Sequence, residues 1–316
     1  MLKALSGRIL ALLLTTFGIA VVTFAAIRIV PGDPVVTQLG ENYDPAVADR
    51  LRAELGLDRP VIEQFFTWFT NLLHGDLGNS IRTGRPVVDE LVQAMPATIE
   101  LAISAILLSV IVSIPAGVFA ARRRGTGWDL AVRTITLGGV AIPNFLLGIL
   151  LIMLCAVVLK ILPAGGYVPF AEDPAGHLAR LVLPSITLAL GVGAATMRMM
   201  RASLLDVLGQ NFIRTARSKG LAPNRVVYRH GVRNALLPVI TVIGIQVGML
   251  LGGSVVVEQL FSWPGLGSMV LRAISQRDYP LLQGGVMLLA ALFVVANFFV
   301  DVIYLYLNPR LRVATQ

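Results

Sequence analysis

Long apolar runs alternate with short polar stretches along this chain. The apolar runs fall at about 9–30, 98–121, 134–159, 181–200, 236–257 and 284–307. Each reaches about 20 residues or more, and about 20 residues at a rise of 1.5 Å cover a hydrocarbon layer of about 30 Å. Backbone groups in lipid must be satisfied within the spanning structure, and the chain lacks the roughly ten-residue alternation of a membrane barrel. The pattern therefore predicts an all-α, polytopic membrane protein with six transmembrane helices, in a single domain over 1–316. Composition agrees, with 56% apolar and 14% charged residues, well away from an ordinary soluble domain.

The polar stretches set the orientation. One side would carry Lys3 and Arg8, then Arg122, Arg123, Arg124 and Arg133, then the eight basic residues between Arg198 and Arg233, then Arg310 and Arg312. Against these sixteen basic residues stand only Asp129 and Asp206. Basic loops stay in the cytoplasm, so both termini are expected there. The formal net charge of +8 arises from this asymmetry and gives no reason to expect nucleic acid as a partner. The first apolar run follows Lys3 and Arg8 as a signal peptide would. It is too long for one, though, and Arg28-Ile-Val-Pro-Gly-Asp-Pro34 stands where small residues should mark cleavage. It is read as a retained helix.

Residues 31–96 form the one large segment expected outside the membrane on the other side. Asp44-Pro45 reads as an N-cap followed by proline at the first helical position, and Gly56 would close a helix over 46–55. A second helix is expected from near Asp58 and Pro60. It would place Val61, Ile62, Phe65, Phe66, Phe69, Leu72 and Leu73 largely on one face, with Trp68 at its edge, suited to a membrane surface or to the bundle.

The most informative polar stretch is the cytoplasmic loop at 201–235. It contains Asn211-Phe-Ile-Arg-Thr-Ala-Arg-Ser-Lys-Gly220-Leu-Ala-Pro223, followed by His230-Gly-Val-Arg-Asn-Ala-Leu-Leu-Pro238. Phe212, Thr215, Ala216 and Lys219 follow helical spacing, Gly220 is placed for a left-handed cap, and Pro223 blocks continuation. A short helix held out from a membrane, with small residues at its centre, suits docking into a groove of another protein.

Chemistry is sparse elsewhere. The chain has no G-x-x-x-x-G-K-[ST] motif for a nucleotide phosphate. His74, His177 and His230 are far apart and read as loop residues, without metal-ligand spacing. No Ser-His-Asp set or carboxylate pair can be argued, so no catalytic residue, metal site or cofactor is expected on this chain. The single cysteine, Cys155, falls within the third span and excludes an intrachain disulfide. Ionisable residues are almost lacking within the spans; Asp301, in the sixth, is the exception singled out, and it lies about two turns from Arg310. An ion-coupled carrier would need more such groups. Asn144, Gln246 and Asn297 are candidates to line a translocation path, and Thr241 is another polar residue at depth; each could equally bond helices together. Gly244, Gly248, Gly252 and Gly253 would allow close helix contacts, and Pro115, Pro143 and Pro184 could kink spans.

Taken together, Arg214-Thr-Ala-Arg-Ser-Lys-Gly220-Leu221 and His230-Gly-Val-Arg-Asn-Ala-Leu-Leu-Pro238 closely resemble the permease loop of ABC importers for peptides, nickel and related solutes. Pro31-Gly-Asp-Pro34, Leu55-Gly-Leu-Asp58, Gly75-Asp-Leu-Gly78, Met95-Pro-Ala-Thr98, Ile142-Pro-Asn-Phe145, Pro264-Gly-Leu-Gly267 and Asn308-Pro-Arg310 extend the likeness almost end to end. The long first external segment resembles that of the first of two paired permeases. The resemblance implies a type I importer fold. It also implies a second permease subunit, two cytoplasmic ATP-binding subunits and an external solute-binding protein around the bilayer-embedded chain. On it, Arg214, Thr215, Ala216, Arg217, Ser218, Lys219, Gly220 and Leu221 form the helix that couples to an ATPase. Thr215, Ala216 and Gly220 keep that helix slim, while Arg214, Arg217 and Lys219 meet polar or acidic groups. The general importer motif begins Glu-Ala-Ala where this chain has Arg214-Thr-Ala, and Leu237-Pro238 follows Gly220 later than in that motif. Asn308 stands where the branch usually has Asp. Dipeptides, oligopeptides, glutathione and nickel complexes are all solutes of this permease type.

Overall fold

The computed structural model describes residues 2–29, 35–36, 44–54 and 56–307. Pro31–Pro34 and Asn308–Arg310 lie outside the described residues, as does the side chain of Asp301. The described residues are helical apart from turns, irregular connections and one isolated bridge, Asn79 with Pro86. They form two compact units.

The first unit comprises residues 2–98 and 264–294. It holds α1 (Leu2–Ile29), α2 (Pro45–Glu54), α3 (Val61–Leu73) and the start of α4 (Val87–Arg122). As the sequence predicts, the Asp44 carboxylate accepts from the Ala46 amide at 2.8 Å to open α2, and Gly56 beyond its end has φ +65°. The aromatic face of α3 packs on α1. Phe65 meets Phe24 at 5.1 Å and Phe69 meets Phe17 at 5.5 Å between ring centroids. Val61, Ile62, Phe66 and Leu73 stay exposed, so α3 packs with only part of its apolar surface. Residues 87–96, expected in the external loop, already belong to α4. Val87, Leu91 and Ala94 there bury against Leu266, Met269 and Ala273 of α10 (Leu266–Gln276) and against Leu281. The Asp278 carboxylate ties the unit together, accepting from the Ser80 hydroxyl at 2.5 Å and the Ile81 amide at 3.3 Å.

The second unit comprises residues 99–263 and those from 295 onward. It takes the rest of α4, then α5 (Gly127–Ala141) and α6 (Asn144–Leu151), the latter continuing as a π-helical run, Ile152–Val158. α7 (Pro174–Leu208), α8 (Asn211–Ser218), α9 (Arg233–Leu260) and the last part of α11 (Tyr279–Leu307) complete it. The run from Pro223 to α9 is helical as well, with a π-helical stretch at Val226–Val232. Small residues let these helices approach closely. A Cβ on Gly117 would lie 2.7 Å from the Met197 carbonyl oxygen, and one on Gly193 would lie 2.5 Å from the Ser113 hydroxyl. Ser104 and Ser185 hydrogen-bond between α4 and α7 at 2.7 Å. Gly244 packs on Val300, whereas Gly252 and Gly253 face open space.

Of the six expected spans, four reappear as single long apolar helices, one as a bent pair and one as a shorter apolar run, all with different edges. Val87–Arg122, Pro174–Leu208, Pro223–Leu250 and Tyr279–Val300 are long and apolar enough to cross a bilayer, and α1 carries the apolar run Leu12–Ala26. The third span is broken rather than continuous. Ile142 adopts extended dihedrals (φ −83°, ψ 122°) ahead of Pro143, whose ring disfavours the helical region for the residue before it. α5 and α6 meet there at a sharp bend. Pro115 and Pro184, by contrast, sit within uninterrupted helices.

Candidate functional site: the arginine-rich loop and a polar cleft

The loop expected over 201–235 is shorter than that. α7 runs on to Leu208 because Met200 and Leu204 bury with Val118, Ala121, Val227, Ala235 and Val239. Helix resumes at Pro223, leaving 209–222 as the connection. α8 lies within it. Ile213 (0% exposed) and Ala216 (9%) turn inward onto Val226, with Val207, Leu208 and Leu221 around them. Arg214, Thr215, Arg217, Ser218, Lys219 and Gly220 are all exposed.

The end of α8 is a Schellman motif. The Gly220 amide donates to the Arg217 carbonyl at 2.9 Å and the Leu221 amide to that of Ala216 at 3.4 Å, with Gly220 at φ +76°. Leu221 supplies the apolar contact that usually accompanies such a cap. A Cβ on Gly220 would meet nothing within 4 Å, so the glycine answers a backbone conformation and not a lack of room. The hydroxyls of Thr215 and Ser218 donate back to the carbonyls of Asn211 and Arg214. Ala216 packs against Val226 and Leu221 of its own chain, so it lies on the inward side of α8.

Beneath α8, two polar contacts fix the helix ends of this unit. The Asp129 carboxylate, buried near the start of α5, accepts from Arg201 of α7 at 2.6 and 2.8 Å. That two-bond geometry is among the stronger polar contacts available. Arg122, at the end of α4, donates to the Asn224 side chain at 2.9 Å and lies over the Tyr228 ring. Neither pairing was foreseeable, since the partners lie 72 and 102 residues apart. Arg122 does more than set topology.

His177, expected in a loop, is buried in the first turn of α7. Its Nε2 lies 2.5 Å from Glu100 Oε1 and its Nδ1 2.7 Å from the Val168 carbonyl. The rings of Tyr167, Phe170 and Trp263 surround it at 5.6 to 5.7 Å. Burial, with the nearby Glu100 charge, pushes the Tyr167 hydroxyl above its ordinary range. Among the described residues no group of three His, Cys, Asp or Glu side chains could hold a metal ion.

Of the three path candidates, Asn144 and Gln246 come together and Asn297 does not join them. The first two line a cleft of about 400 Å³ at the break between α5 and α6, walled by α7 and α9. Arg198 of α7 lines it too.

Helices of membrane-crossing length joined by an exposed basic helix are the features of a polytopic membrane protein. Residues 113–313 match the family described as binding-protein-dependent transport system inner membrane component, and residues 1–102 match the N-terminal component of such systems. The chain belongs to that family and is an ABC importer permease. It is 41% identical to the di/tripeptide transport system permease protein DppB of Pseudomonas aeruginosa, with 99% of each chain covered. It is also 41% identical to the dipeptide transport system permease protein DppB of Escherichia coli K12, over 96% of this chain and 97% of that one. Its fold is similar to that in an inward-facing structure of the MetNI methionine ABC transporter. There the TM-score is 0.57 at 18% identity, covering 69% of this chain and 96% of the other.

Proposed function

We propose that this chain is one of two permease subunits in an ATP-driven importer of short peptides. The observation that carries the reading is its end-to-end similarity to two permeases named for dipeptide or di/tripeptide transport. Two ATP-binding subunits work from the cytoplasm, where both termini and α8 lie, and an external binding protein delivers the solute. ATP hydrolysis belongs to those separate subunits.

Residues 211–221 are the coupling segment. Arg214, Arg217 and Lys219 offer charge to the rim of an ATPase groove, and the Schellman cap sets the angle at which α8 leaves it. Ile213, Ala216 and Leu221 grip the permease side. A push on α8 reaches α7 and α9 because α8 packs on the chain leading out of one and into the other. The Asp129–Arg201 and Arg122–Asn224 contacts carry it on to α5 and α4. Closure of the ATPases thus moves packed helices between two arrangements, and the contacts that differ between them supply the driving force.

Uptake of a radiolabelled dipeptide into proteoliposomes holding the complete transporter tests this. Uptake should require ATP, the binding protein and both ATPases. Uptake by this chain alone, or transport of a nickel complex or glutathione with no transport of peptide, would contradict it.

A further inference from the structure

Two arginines on α7 sit about one turn apart with opposite fates. Arg201 spends its guanidinium on Asp129. Arg198 makes no hydrogen bond or ion pair with any described residue, and it lines the cleft at the α5–α6 break. Asn144 and Gln246, on two other walls, likewise have no hydrogen-bonding partner among the described residues. No acidic side chain lines the cleft. Arg198 is exposed, so its guanidinium stands open to an incoming anion instead of being committed to a protein carboxylate.

The chemistry of the lining points to a specific complement. A guanidinium binds a carboxylate through two parallel hydrogen bonds. Carboxamides both donate and accept, as peptide groups do. The cleft opens where Ile142 leaves the helix, so the start of α6 adds partial positive charge of its own. Its volume of about 400 Å³ falls in the range of small-ligand sites, roughly 300–1,000 Å³. Asn144 is held on one side, for the backbone of Gly191 leaves room for it. A Cβ on Gly191 would stand 2.7 Å from Asn144 Oδ1.

We propose that this cleft is a carboxylate-binding station on the translocation path, where Arg198 takes the C-terminal carboxylate of the passing peptide and Asn144 and Gln246 take its amide groups. The proposal rests on the peptide reading above. An uncompensated arginine would favour entry of a free carboxylate. With only one charged contact, the site would release it again.

The test uses the complete transporter with saturating binding protein and radiolabelled dialanine. R198Q should cut uptake at least tenfold while leaving ATPase activity stimulated by the liganded binding protein. R198K should recover a large part of the uptake, because it restores the charge without the fork. Wild-type uptake by R198Q would overturn the proposal. So would loss of uptake and stimulated ATPase activity together, or failure of R198K to do better than R198Q. If the wild-type transporter moves no dipeptide at all, the peptide reading itself fails, and the carboxylate station with it.

Discussion

Two short helices, one in each unit, end alike and are used differently. α8 closes on Gly220, and α10 closes on Arg277, also left-handed at φ 55°. In both, the next amide reaches back five residues, from Leu221 to the Ala216 carbonyl and from Asp278 to that of Ala273. α10 buries Leu266, Gly267, Ser268, Met269, Val270 and Ala273, so it is part of a core. α8 buries only Ile213 and Ala216 and leaves its basic residues outside. A buried helix can impose a left-handed arginine at its end, since Asp278 just beyond is locked to Ser80 and Ile81. An exposed helix has no such grip and relies on glycine. One helix is built into the core; the other keeps most of its surface outside.

That contrast breaks most visibly by charge reversal. The triple variant R214E/R217E/K219E should lower ATP-dependent uptake by more than about tenfold. Its membrane abundance should stay near wild type, because these side chains are exposed and such surface changes cost little in stability. Immunoblots of membranes beside uptake assays check both halves. In α10 the opposite should hold. L266A, at a fully buried position, should cost about 2–5 kcal/mol and lower the thermal midpoint, while surviving molecules transport normally.

The support under α8 should show an intermediate effect. D129A leaves Arg201 without its partner and should cost roughly 2 kcal/mol, seen as a lower thermal midpoint. Replacing both residues with apolar ones, D129L/R201M, should recover most of that. Recovered stability without recovered uptake would assign the pair to transmission as well as to folding. The smallest change is at Gly220. G220N tolerates the left-handed conformation and meets open space, so it should keep most activity, whereas G220V should not. Equal loss in both would mean that the ATPase groove itself excludes any side chain there.

The sequence revealed what is local and hid what is distant. Hydropathy places the spans, and the Gly220 and Gly56 caps follow from neighbouring residues alone. Pro143 marked a possible kink, but the full break also depends on the walls that α7 and α9 provide. Asp129 and Arg201 carry no mutual signal across 72 residues, nor do Glu100 and His177 across 77. His177 reads as a loop residue because the polar stretch before it masks the cap that Asp173 makes, accepting from the Gly176 amide at 2.9 Å. Ala216 was legible as small, but helical spacing alone could not say which way it turns; the apolar contacts of Val226 and Leu221 decide that. Arg198 was counted only as a topological charge because its freedom becomes apparent only beside the committed Arg201.

Thiol accessibility at α8 tests the central claim most directly. In a C155A background, R217C puts a thiol on the exposed face of α8. Membrane-impermeant maleimide should label it in inside-out vesicles stripped of ATPase subunits, and rebinding those subunits should protect it. Labelling from the external side, or equal labelling with and without the ATPases, would contradict the account.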